Sequence, residues 1–102
     1  MAGKTERQQA REAVARYHEA MLGVLLKHVA DTIDLYRDRD RELDAFQVDR
    51  VMFQYSRAAK ELWKFCNMGH VEFTASHVHD DPPIDWWERG APKPLPGAAP
   101  EA

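Results

Sequence analysis

Residues 14–36 read VARYHEAMLGVLLKHVADTIDLY, and the spacing of apolar residues in this stretch decides the fold. At about 100° per residue, Val14, His18, Met21, Leu22, Leu25, Val29, Thr32, Ile33 and Tyr36 fall on one broad face. Tyr17, Val24, Leu26, His28 and Leu35 widen its edges. The polar strip left over is narrow: Arg16, Glu19, Lys27, Asp31, Asp34 and Arg37. Gly23 sits on that strip, where it costs about 1 kcal/mol relative to alanine without ending a helix. Upstream, good helix formers dominate from Lys4, and Thr5 with Gln8 three residues later has capping-box spacing. No proline precedes Pro82. A first helix over 5–38 follows.

The next segment, Arg37 to Glu42, alternates in sign and holds no apolar residue, as a solvated helix end and turn would. Asp44 then offers an N-cap with Gln47 three residues on, and Leu43 with Val48 has the spacing of a hydrophobic staple. The predicted second helix, 44–67, carries a stripe of Val48, Val51, Met52, Tyr55, Ala58, Ala59, Leu62, Phe65 and Cys66, with Trp63 at its margin. Ala58 and Ala59 allow another helix to come close at mid-length. Asn67 and Gly69 are its terminators. Residues 68–79 fit either a helix (Val71, Ala75, Val78) or a strand (Val71, Phe73, Ala75). A helix over 69–79 is favoured, because the chain offers no strand to pair with. Asp80-Asp81-Pro82-Pro83 ends it, and 84–90 reads as a capped turn with Asp85 as cap, Glu88 as its capping-box partner and Gly90 as stop. The expected domain is 1–90. The remaining residues, 91–102, are proline-rich and expected to form a flexible tail.

Working outward from these elements, 102 residues with 44% hydrophobic and 30% charged content suit one domain with an ordinary core. A helix over 5–38 is about 50 Å long, whereas a compact chain of this size has a radius of gyration near 13 Å. The expected fold is therefore all-α: a long antiparallel helical hairpin with a short third helix. The second helix covers only one sector of the first helix's apolar face. A second copy would cover the rest as a four-helix-type bundle, so a homodimer is expected. The core or dimer face is His18, Met21, Leu22, Leu25, Val29, Ile33 and Tyr36, with Leu25 and Val29 at or near the subunit contact.

No stretch approaches the ~20 apolar residues of a membrane span, and the polar start MAGKTERQQARE lacks the apolar core of a secretion signal. Cys66 stands alone, which excludes an intramolecular disulfide and a cysteine-cluster zinc site. A cytoplasmic setting is expected. A net charge of -3 argues against bulk electrostatic capture of nucleic acid. The segments KELWKFCN (60–67) and DWWERGAPK (85–93) resemble fixed signatures of a small bacterial protein family.

Two surfaces stand out as sites for partners. Phe46, Arg50, Phe53, Arg57, Lys60 and Lys64 share the face of the second helix opposite its core stripe. Interleaved aromatics and cations suit an acidic protein partner or single-stranded nucleic acid; the alternative is that both phenylalanines pack under the tryptophan turn. Trp86 and Trp87 point apart on a tight turn: one reading has the turn serve only as an anchor on the hairpin, the other has one ring anchor it and the second meet a partner. His77, His79, Asp80 and Asp81 are weak metal candidates, lacking the helical spacing of a preformed site. His18 reads as a buried, hydrogen-bonded histidine and Cys66 as a small buried hydrophobe. No nucleophile motif, phosphate loop or paired-carboxylate site is present. The expected function is a non-catalytic binding or regulatory module acting through protein–protein contact, with no cofactor, no metal and no membrane partner. The alternatives are a nucleic-acid-binding regulator, or a small metal protein or enzyme using His70, His77, His79 and neighbouring carboxylates.

Overall fold

A computed structural model describes residues 3–40 and 45–92. The fold is all-α: α1 (Glu6–Asp40), α2 (Ala45–Asn67), α3 (Val71–Asp80) and the single turn α4 (Trp86–Arg89), with no strand among the described residues. None of these helices is long and apolar enough to cross a membrane. The expected cap and staple at Asp44 and Leu43, and the tail from Lys93 onward, lie outside the described residues.

The start of α1 follows from its first turn. The Thr5 amide donates to Gln8 Oε1 at 2.9 Å, and the Gln8 amide donates to Thr5 Oγ1 at 3.1 Å, a reciprocal capping box. Residues 71–80 are helical; their Val71, Ala75 and Val78 all pack against the core. His70 precedes them in extended backbone, so α3 starts at Val71.

Tyr17 on α1 meets Phe65 on α2 edge-on at 5.7 Å between ring centroids, and Leu25, Ala58 and Leu62 retain no exposed surface. On α1, α3 takes the flank around Ala13, Arg16 and Tyr17, and α4 sits on the middle of α2, beside Gln54 and Ala58. The molecule measures 60 × 37 × 19 Å, with a radius of gyration of 17.7 Å against the ~13 Å of a compact chain this long. Its shortest dimension fits two layers of helices of ~10 Å each: α1 with α2, and α3 with α4 laid across one side.

Leu25 and Val29, expected to be buried at or near a subunit contact, are buried within the single chain, Leu25 completely. The physical reason is that they lie on the part of the α1 face turned to α2.

Candidate functional site

The tryptophan turn is a built structure, and its two rings have different roles. Trp86 is buried; its indole N–H donates to the Tyr17 hydroxyl at 2.6 Å and more weakly to the Pro83 carbonyl at 3.2 Å. The Tyr17 hydroxyl donates in turn to the same Pro83 carbonyl. Burial raises the Tyr17 pKa above the usual phenol value, against the opposing effect of the Trp86 hydrogen bond. Phe65 tilts against Trp86 at 5.5 Å. The Arg89 guanidinium lies 4.6 Å over the Trp86 ring while its Nε reaches the Asp85 carboxylate at 2.9 Å, an ion pair that holds the Asp85 carboxyl below its usual pKa. Asp85, expected to cap α4, therefore faces Arg89 and makes no capping bond. Trp87 is half-buried and stacks on His28 of α1, 4.7 Å away and nearly parallel. Both rings thus engage α1, and Trp86 offers a partner almost no surface.

Gly90 closes the turn. Its φ of -83° is one any residue adopts, so its conformation does not call for glycine. Contact does: a Cβ there would lie 2.5 Å from the Gln54 carbonyl oxygen and 2.7 Å from the Ala58 Cβ. The small Ala58 receives this turn, where the sequence suggested a helix. Gln54 Nε2 donates to the Trp87 carbonyl at 2.8 Å and Arg57 Nε to the Gly90 carbonyl at 2.6 Å, so α2 side chains cap the end of α4.

This changes the basic face of α2. Arg57 is engaged by Gly90, and Lys64 approaches Glu61 at 3.5 Å. Arg50 and Lys60 are exposed, as are Phe46 and Phe53, with 82% and 59% of their surface accessible. Neither phenylalanine packs under the tryptophans. Phe53 instead borders an open groove of about 540 Å3 with Arg50, Arg57 and Pro92.

Phe73, Ile84 and Met68 are also exposed, and a further set of apolar side chains is free along α1 and α2. At about 100° per residue, Leu22, Leu26 and Ile33 lie on the flank of α1 away from Tyr17 and His28, the residues that meet α3 and α4. Met52, Ala59 and Trp63 lie on the flank of α2 away from Gln54. Leu26, Met52 and Trp63 are exposed; Leu22, Ile33 and Ala59 are half-buried. Of the remaining face residues of α1, His18, Met21 and Tyr36 are also half-buried.

The histidine segment separates rather than converges. His77 packs edge-on against Phe65 at 5.5 Å, and His79 Nδ1 contacts Asp80 Oδ1 at 2.9 Å, holding the Asp80 carboxyl below its usual pKa. His77, Asp80 and Asp81 border one shallow pocket, but among the described residues no three metal-capable side chains are placed to hold an ion. Cys66 is buried, and burial pushes its thiol up to about 11. The sequence reading missed Arg7 and Arg11, which line a cavity of about 420 Å3 with His18, Cys66 and His70. Their shared face with His18, at i, i+4 and i+11, was visible in the sequence; the approach of His70 was not.

No protein-family profile, curated protein or solved structure matches this chain.

Proposed function

We propose that the protein is a non-catalytic helical interaction module, in which α1 and α2 act as an antiparallel hairpin and pair with a second copy to form a four-helix bundle. The observation that carries this reading is the free flank: Leu26, Met52 and Trp63 stay 52%, 45% and 53% exposed on the side opposite α3 and α4. Two such flanks face to face would bury these side chains at about 25 cal/mol per Å2 of apolar surface. A two-fold contact brings a patch against itself, so a patch of one charge sign would repel. Here Arg37 on α1 and Asp49 on α2, both exposed beside the flank, supply both signs. A reducing, cytoplasmic setting belongs to the same proposal and fits the single buried thiol.

Sedimentation equilibrium tests it. The expected mass is twice 11.8 kDa at tens of micromolar, falling to one chain for Leu26→Asp and unchanged for Leu35→Asp on the opposite flank. A wild-type monomer in that range overturns self-association.

The exposed Phe46 and Phe53 beside Arg50 and Lys60 support a second reading, a site for single-stranded nucleic acid. It ranks below the first because Arg57 and Lys64 already have partners. Salt-dependent binding of a short oligothymidine, weakened by ~1–3 kcal/mol in Phe53→Ala with the fold intact, is its expected signature.

A further inference from the structure

Where α2 ends and α3 begins, the chain turns back over the N-terminal third of α1 and leaves a cavity of about 420 Å3, within the size range of small-molecule sites. Arg7 and Arg11 approach from α1, one turn apart, with His18 farther along the same face; Asn67 and His70 approach from the α2–α3 corner. No aspartate or glutamate lines the cavity. Glu12, the acid next to Arg11 in sequence, is held by Lys4 Nζ at 2.7 Å. Among the described residues neither arginine makes an ion pair, so two like charges four residues apart on one helix stand uncompensated. Val14, Cys66 and Val71 supply the smaller, apolar part of the lining.

We propose that this cavity binds a small soluble molecule carrying a phosphate monoester on a compact apolar body. Two guanidiniums can each present a fork of N–H donors to phosphate oxygens, and a dianion offsets both charges where a carboxylate offsets one. The first amides of α3 add donors at the same wall: His70 makes no side-chain cap to them, and this ten-residue helix directs its positive end there. The apolar part of the lining accepts the body of the ligand. Cys66 belongs to it as a neutral contact, with no covalent part in binding.

The test is a titration of 15N-labelled protein with phenyl phosphate, inorganic phosphate and phenylacetate, with helix content and melting temperature recorded for every variant. Expected are saturable shifts of the Gly69, His70, Val71 and Glu72 amides, tightest for phenyl phosphate. Arg7→Gln with Arg11→Gln should weaken binding at least tenfold at unchanged melting temperature, and Lys60→Glu with Lys64→Glu should leave it unaltered. Should the arginine pair disturb the fold, His70→Ala read in the same way replaces it, with weaker binding again expected. Overturning results are the absence of saturable shifts, equal binding of phenylacetate, equal loss in the lysine variant, or no loss in either the arginine or the His70 variant. Capture by phosphatidic acid vesicles without a response to phenyl phosphate also overturns it, since the ligand would then be a lipid surface.

Discussion

The stretches of α1 before and after His28 both carry the apolar stripe and have different surroundings. From Ala10 to His28 the helix meets α2, α3 and α4, and Val14, Tyr17 and Leu25 are buried. The contacts of α3 and α4 described above stop at His28, and beyond it α2 is the main cover. There Val29 is buried, while Leu35 keeps 55% of its surface exposed and Ile33 and Tyr36 are half-buried. An apolar helical stripe does not by itself say where a core lies. The core forms where a second layer arrives, and here a four-residue turn and a ten-residue helix bring that layer.

The sharpest way to break this contrast is to remove what fastens the second layer. Trp86→Ala deletes a buried ring that touches Tyr17, Phe65 and Arg89, and should destabilise the fold by ~3–5 kcal/mol in urea unfolding. Gly90→Ala should cost ~1–3 kcal/mol, because the new methyl meets the backbone of α2 and the turn must lift. Its separate signature is a red-shifted tryptophan emission. Tyr17→Phe keeps the ring but removes the hydroxyl between Trp86 and Pro83, for ~1 kcal/mol. In the thinner half, Leu35→Lys should stay within ~0.5 kcal/mol of wild type.

Much of the fold was legible in the sequence. The apolar period of 14–36, the Thr5–Gln8 box and the proline stop after α3 rest on neighbours within a few residues, and such signals survive folding. The choice between helix and strand for 68–79 was open because Val71 and Ala75 fit both periods; packing of Val71, Ala75 and Val78 on α1 and α2 realises the helical one. That part of the α1 face stays uncovered by α2 was legible; its position was not, since the wheel shows a broad apolar face but not which third each neighbour takes. For Arg57 the hidden information was a carbonyl 33 residues away, at Gly90. Gly90 looked like a helix stop on local grounds, yet its lack of a side chain answers to α2.

Acid–base behaviour gives an effect confined to alkaline pH. The folded Cys66 thiol keeps its proton up to about 11, against an ordinary value of 9.0. Unfolding therefore releases a proton between those two pH values, and stability should fall as pH rises through that window. Replacing Cys66 by alanine should remove this part of the pH dependence. Below pH 9 the wild-type thiol should react with iodoacetamide more slowly than the same thiol in the unfolded chain, because it keeps its proton.

The seat of Gly90 also constrains descent. The nearest obstacle to a Cβ there is the Gln54 carbonyl oxygen, at 2.5 Å, followed by the Ala58 Cβ at 2.7 Å and the Ala58 amide nitrogen at 2.8 Å. Trimming Ala58 to glycine would remove only the second of these, because the other two belong to the backbone of α2. No compensating substitution elsewhere opens the position while the turn stays docked. Lineages that keep this turn are thereby held to glycine at position 90, a constraint the exposed side chains of the opposite flank do not share.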